Sequence, residues 1–289
     1  MISSMTGFAR SEIDSPLGPL LWELRSVNHR YLEVQFKLPD GFRSLETEAR
    51  QLITRSLRRG KLDASLTLRT AGREQAQTRL NLPRAGEIIA HAVAVGSQIS
   101  DPAPIDPVDI LRWPGVLEEQ GATAETAHPP ALAGLERAVA ELAASRSREG
   151  ARIHELLEAR CAEILVRVAA VRARLPLVLQ AIREKLAERV RSLATSIDPE
   201  RLEQELVLIA QKLDVSEELD RLEGHVAEFR ATMEKPGEPA GRRLDFLLQE
   251  FNREANTLAS KSADAETTRH AVDLKVLIEQ MREQVQNVE

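Results

Sequence analysis

The clearest pattern along the chain is the alternation at Leu32, Val34, Phe36 and Leu38, with Glu33, Gln35 and Lys37 between them. Such a period puts apolar side chains on one face, so the segment predicts a half-buried strand closed by the turn-forming Pro39-Asp40-Gly41. Further strands are expected over 5–12, 20–27 and 62–69, with Asp14–Pro19 as a turn. Leu45, Ala49, Leu52, Ile53 and Leu57 recur at helical spacing and predict a helix stopped at Arg59-Gly60. Strands bracketing one helix predict a small α+β sandwich with antiparallel strands. Residues 71–82 read as loop and 84–99 as helix. The proline-rich run 100–107 ends in Asp106-Pro107, the cap and first position of a short helix stopped by Pro114-Gly115. Trp113 is expected to anchor a core there.

Beyond residue 130 the apolar positions recur only at helical spacing. Gly121–Pro130 reads as a linker. Leu135, Val139, Leu142, Ile153, Leu157, Ile164, Val168 and Val171 predict a long helix over 131–175, ended or kinked by Pro176 and followed by a second helix to Ser196. Asp198-Pro199 reads as a new cap and start. One helix is expected over 201–229, then a turn over 234–241 that returns the chain antiparallel, a helix from Gly241 and a closing helix carrying Leu274, Leu277, Ile278, Met281 and Val285. The expected class is therefore α+β: an N-terminal α+β domain at 1–122, a long helical arm at 123–198 and a mainly α-helical C-terminal domain at 199–289.

The polar positions of the Gly241 helix are unusual. Leu244, Leu247, Leu248, Phe251, Ala255 and Leu258 make one apolar face, while Arg242, Asp245, Gln249, Asn252 and Asn256 make a second stripe. Glu250 and Glu254 are four apart and lie one above the other. Asparagine is a poor helix former, and its repetition suggests a hydrogen-bonding task. On the preceding helix Asp214, Glu218, Arg221 and His225 step by four, three and four. Carboxylates with an imidazole suit a divalent cation; an i,i+4 salt bridge between Glu217 and Arg221 accounts for the same spacing.

Composition narrows the function. The net charge of −6 argues against a simple polyanion-coating protein, although residues 1–80 carry 13 Lys/Arg against 9 Asp/Glu. Aromatics at 3% argue against a base-stacking platform. The single Cys161 excludes an intramolecular disulfide framework and cysteine-rich zinc sites. No apolar run approaches the roughly 20 residues that cross a bilayer, and Met1 is not followed by a leader pattern, so a soluble cytoplasmic protein without membrane contact is expected.

Several stretches resemble one family. Ser4-Met5-Thr6-Gly7-Phe8, Arg25-Ser26-Val27-Asn28-His29-Arg30-Tyr31-Leu32-Glu33 and Asp109–Val116 are similar to N-terminal signatures of YicC/YloC proteins. Residues 201–225, 241–262 and 275–289 resemble that family's C-terminal domain. The resemblance implies an endoribonuclease that needs a divalent cation, acts on single-stranded or hairpin-containing RNA in small-RNA turnover, and forms a homo-oligomer, a hexamer whose arms open around RNA. It assigns Arg25, Asn28 and Arg30 to RNA contact. By residue type and spacing, Glu250, Glu254, His225 and Asp245 are the expected catalytic groups, and Glu250, Glu254, Glu218 and His225 the expected ligands of manganese or magnesium. Arg242, Arg243, Arg253, Asn256, Lys261 and Arg282 are expected to face RNA. The expected chemistry is attack of activated water on phosphorus, leaving 5′-phosphate ends. The competing expectation is a non-catalytic RNA-binding adaptor that delivers RNA to a separate nuclease.

Overall fold

A computed structural model describes residues 2–69, 77–120, 123–192, 199–235 and 240–289. The expected cap at Asp198, the middle of the 234–241 turn and residues 71–76 of the expected loop lie outside these.

Strands β1 (Gly7–Ile13), β2 (Leu20–Val27), β3 (Leu32–Lys37) and β4 (Gly60–Leu68) form one sheet in the order β1-β2-β4-β3. β1, β2 and β4 pair antiparallel, while β3 lies parallel to β4, with Val34 opposite Leu62. The strands therefore depart from a purely antiparallel arrangement. The reason is helix α1 (Glu46–Ser56), which carries the chain back between β3 and β4 and makes a crossover rather than a hairpin. Gly60 does not stop α1. The helix ends at Ser56 with Leu57 extended, and Gly60, at φ +111°, opens β4 in a conformation that disfavours other residues.

Alternation decides which face is covered. Leu20, Trp22 and Leu24 of β2 and Leu62, Ala64 and Leu66 of β4 point into a core closed by α1 and by helix α4 (Ala124–Ser192). The Trp22 indole Nε1 donates to the Ala131 carbonyl at 2.7 Å, so the one polar atom of this buried ring is satisfied by α4 itself. Residues 124–130 are thus the first turns of a helix and not a linker. Pro129 and Pro130 lie early in α4, where their missing N–H groups leave only the Glu125 and Thr126 carbonyls without helical partners. Pro176 likewise removes one bond from a 69-residue ladder and does not end it.

A small excursion separates sheet and spine. β5 (Gln77–Leu80) pairs antiparallel with β6 (Leu117–Gln120), so residues 77–80 are a strand where loop was expected. Between them lie α2 (Leu82–Gly96) and α3 (Pro107–Leu111), the latter capped by Asp106, whose Oδ1 accepts from the Val108 N–H at 2.8 Å. Trp113 is 55% exposed, and Val116 takes the buried place it was expected to hold. The turn at Gly115, with φ +84°, swings Val116 inward after the helix.

The second core belongs to α4 from Ile153 to Val171 and to α6 (Ser216–Glu234), α7 (Gly241–Lys261) and α8 (Ala265–Val285). At about 1.5 Å per residue α4 is about 100 Å long, which lets one helix serve both cores. Cys161 is buried on it, and burial, with the nearby Glu158 charge, pushes its thiol up to about 12, so it is no nucleophile. Helix α5 (Pro199–Leu213) is separate from α6, whereas one helix was expected over 201–229. The break falls at Asp214-Val215: Asp214 Oδ1 accepts the Ser216 N–H at 2.9 Å, Lys261 Nζ donates to the Asp214 carbonyl at 2.8 Å, and Val215 turns into the core.

Sheet and bundle are stitched where the two ends of the chain meet. The Met5 N–H donates to the Asn287 carbonyl at 2.7 Å and the Glu289 N–H to that of Ser3 at 2.8 Å. Buried Arg146 donates to the Ser4 carbonyl at 2.6 Å and pairs with the Glu289 carboxylate at 2.5 Å. Gly241 is required here, because a Cβ on it would stand 2.3 Å from the Val288 carbonyl oxygen.

Candidate metal centre

Helices α6 and α7 run antiparallel, as the ion pairs Glu228–Arg243 at one end and Glu218–Lys261 at the other require. Leu219, Leu222, Val226 and Phe229 of α6 meet Leu244, Leu248, Phe251, Ala255 and Leu258 of α7. Side chains flanking these apolar stripes are forced to face one another across the seam.

Three of the expected residues meet there. His225, Glu250 and Glu254 each offer one ligand atom, and all three atoms lie within 4.8 Å of one another. The His225 ring packs against Phe251, with centroids 5.8 Å apart, and Phe251 stacks edge-on to Phe229 at 6.0 Å. This fixes the imidazole between the helices. Its Nε2 is buried and has no hydrogen-bond partner. Orphaned buried nitrogens are rare, and each calls for an explanation such as a bound ion. Glu254 is 3% exposed, with Arg221 Nη1 3.4 Å from its Oε1. Glu250 is exposed at the mouth, 3.8 Å from Arg253.

The donor set fits a divalent cation. Ligand atoms at about 2.1 Å from an ion lie at most about 4.2 Å apart, so a small rotation about side-chain torsions closes the set. One imidazole with two carboxylates suits manganese or magnesium better than a thiol-seeking metal.

Two expected residues are not brought to this cluster. Glu218 is seven residues from His225, about 10 Å along α6, and its Oε1 accepts from Lys261 Nζ at 2.8 Å. Asp245 is nine residues from Glu254, which at about 100° per residue puts it on the opposite face of α7. There it accepts from Gln249 at 3.2 Å and faces Arg282 at 3.7 Å. Asp214 lies in the break between α5 and α6, so the stripe from Asp214 to His225 is not one helical face.

The expected RNA-facing residues are spread over two surfaces. Arg25 and Arg30 are exposed on the sheet side, Arg30 over the Tyr31 ring at 5.2 Å, and Asn28 donates to the Gln286 carbonyl at 2.6 Å, tying the β2–β3 turn to the end of α8. On α7, Arg242 lies over Phe246 at 5.8 Å, Arg243 pairs with Glu228 at 2.8 Å, and Arg253 and Asn256 are exposed. Lys261 is held by Glu218, and Arg282 faces Asp245 and Glu279.

Spacing alone pairs Arg221 with Glu217 and does not bring it to the centre. That pair forms at 2.5 Å, but the same guanidinium also reaches Glu254. Its charged form is held above the ordinary guanidinium range by the Glu254 hydrogen bond and by both carboxylate charges. Its position four residues before His225 was the available signal.

Comparison with known proteins places these residues in a family context. The model described as Endoribonuclease YicC-like, N-terminal region, matches residues 2–155, and that described as Endoribonuclease YicC-like, C-terminal, matches 171–289. The chain belongs to the YicC-like family. A Haemophilus influenzae protein named "Probable endoribonuclease YicC" is 44% identical over 289 residues, covering the whole of both chains. A Clostridioides difficile protein of the same name is 30% identical over 294 residues, again covering both chains completely. The similarity therefore includes the sheet, the α4 spine and the α6–α7 seam alike. No described helix is long and apolar enough to cross a membrane.

Proposed function

We propose that the chain is a metal-dependent endoribonuclease whose centre is His225, Glu250 and Glu254. The observation that carries this reading is the gathering of the His225 imidazole with two carboxylates, one potential ligand atom of each within 4.8 Å of the others, beside a buried His225 Nε2 that has no hydrogen-bond partner, in a chain similar along its full length to two proteins named "Probable endoribonuclease YicC". A divalent cation bound there supplies Lewis-acid polarisation of a phosphoryl oxygen and water of lowered pKa at neutral pH.

The residues divide the work by burial. His225, wedged against Phe251, holds its imidazole in a fixed orientation, so little ordering is left for the moment of binding. Glu254 contributes a charge that water does not screen, because it is buried in the seam. Glu250 at the mouth remains open to solvent and substrate. Arg253 beside it and the exposed Arg242 present fixed cations to a polyanionic backbone. Glu218 and Asp245 stand outside the proposed centre. Arg25 and Arg30 extend the phosphate-binding surface to the sheet side, with single-stranded or hairpin RNA as substrate, 5′-phosphate ends as products and a homo-oligomer as the working form.

The test is cleavage of a labelled RNA hairpin during manganese titration by wild type, His225→Ala, Glu250→Gln and Glu254→Gln. Manganese-dependent cleavage with 5′-phosphate ends, lost in the variants, is the expected result. Cleavage that persists in EDTA, or 2′,3′-cyclic phosphate ends, overturns it and favours an imidazole acid–base route. The adaptor reading draws on the arginine already facing each carboxylate, Arg221 on Glu254 and Arg253 on Glu250. It predicts salt-dependent RNA binding by every variant and cleavage by none.

A further inference from the structure

Arg221 holds an unusual position at this centre. Among the described residues it is the one basic group in ion-pair contact with Glu254, and the contact is loose: 3.4 Å from Nη1 to Oε1. The two partners are unequally buried. The Glu254 side chain is 4% exposed, that of Arg221 51%. A buried carboxylate needs a compensating charge, and a guanidinium keeps its proton across the working pH range. A divalent cation on the same carboxylate would repel that guanidinium and make its charge redundant. The second arm of the guanidinium, Nη2, is held by the exposed Glu217 at 2.5 Å, so an arginine that leaves Glu254 stays tethered at the mouth of the cluster.

We infer that Arg221 stands in for the cation in the metal-free chain. When a divalent cation is held by His225, Glu250 and Glu254, Arg221 gives up Glu254 and turns its forked donors to the phosphate at the mouth. The inference rests on the cation reading above. It has a consequence that runs opposite ways in two measurements. Removing the arginine charge favours cation binding, because nothing then competes for Glu254. It disfavours cleavage, because the phosphate loses a donor.

The experiment is manganese binding followed by the electron paramagnetic resonance of the free ion, beside RNA cleavage at saturating manganese, for wild type, Arg221→Gln, Arg221→Lys and Glu254→Gln. Arg221→Gln is expected to bind manganese about two- to fivefold more tightly than wild type, the scale of a half-exposed ion pair. It is expected to cleave on the order of a hundredfold more slowly. Arg221→Lys keeps the charge, so its manganese affinity stays near wild type, while cleavage remains depressed because an ammonium lacks the fork. In EDTA, Arg221→Gln is expected to melt below wild type, and manganese to raise its melting temperature by more than that of wild type, since the ion replaces the missing charge. Equal or weaker manganese affinity in Arg221→Gln overturns the exchange, and undiminished cleavage overturns the phosphate role. Failure of the underlying cation reading looks different: wild type would bind no manganese, or Glu254→Gln would bind it as well as wild type.

Discussion

The two halves of the α6–α7 seam are built from the same kinds of residue and end in different states. At the Lys261 end, buried Glu218 is met by an ammonium at 2.8 Å that also closes the Asp214 carbonyl. At the His225 end, the more deeply buried Glu254 is met by an arginine at 3.4 Å, and the neighbouring imidazole nitrogen is met by nothing. Burial of an acid is therefore not what separates them. The difference is how closely each acid is paired: Glu218 Oε1 is met by the Lys261 ammonium at 2.8 Å, although its buried Oε2 has no hydrogen-bond partner, whereas Glu254 is met only at 3.4 Å and stands in a cluster with His225 and Glu250. The cluster at the His225 end is held in place by the packing around it, here Phe251 and Phe229, and titratable groups gathered in this way are candidates for function.

The sharpest way to break the comparison is activity. Glu254→Gln and His225→Ala are expected to lose RNA cleavage by on the order of 10²–10³-fold or more, the range for removing one group that stabilises developing charge. Glu218→Gln at the Lys261 end is expected to keep it within a few-fold. Equal losses in Glu218→Gln and Glu254→Gln, measured on folded protein, would erase the distinction.

Stability should rank the two ends in reverse. Glu218→Gln leaves Lys261 without its carboxylate and is expected to cost about 2 kcal/mol, read as a lower urea midpoint at unchanged m-value. Glu254→Gln in EDTA is expected to cost about 1 kcal/mol or less, because Arg221 is half exposed and solvent takes it over. Manganese sharpens the same contrast. It is expected to raise the melting temperature of wild type and of Glu218→Gln, and EDTA to abolish the rise, while His225→Ala shows none.

A third acid calibrates both ends. Asp264 caps α8, accepting from the Thr267 and Glu266 N–H groups, and pairs with Arg174 at 3.2 Å. Burial works against its ionisation, but the Thr267 and Arg174 hydrogen bonds outweigh it and hold the carboxyl below its ordinary 3.8. A depressed folded pKa means the stabilisation is present above the unfolded value and is lost as pH falls through the folded one. Asp264→Ala is therefore expected to cost about 1 kcal/mol at pH 7, and the gap to wild type should narrow below about pH 4 in acid-unfolding curves.

Local periodicity made much of this legible. The strand at Leu20–Val27 and the alternation from Leu32 follow from a period of two, the capped start of α3 from Asp106-Pro107, and the stacking of Glu250 over Glu254 from helical spacing. What failed were inferences that needed a partner. Trp113 reads as core because large aromatics are buried on average, but at the end of the short α3 it is left half exposed. Residues 77–80 read as loop because their strand exists only through pairing with β6, some 40 residues on. The break at Asp214-Val215 escaped because the Lys261 ammonium that takes the freed carbonyl comes from α7.

The chain's own pattern determined that Glu250 and Glu254 share one helical face and that His225 flanks the apolar stripe of the helix before it, since both follow from the pitch of an isolated helix. Only the packing of the helices decided that these faces meet, that Glu218 is claimed by Lys261, that Asp245 meets Arg282 of α8, and that Arg221 reaches across to Glu254. Register between two helices is set by how their side chains interdigitate along the whole seam. No single residue or spacing encodes it, which is why the ingredients of the centre were visible in one dimension and its membership was not.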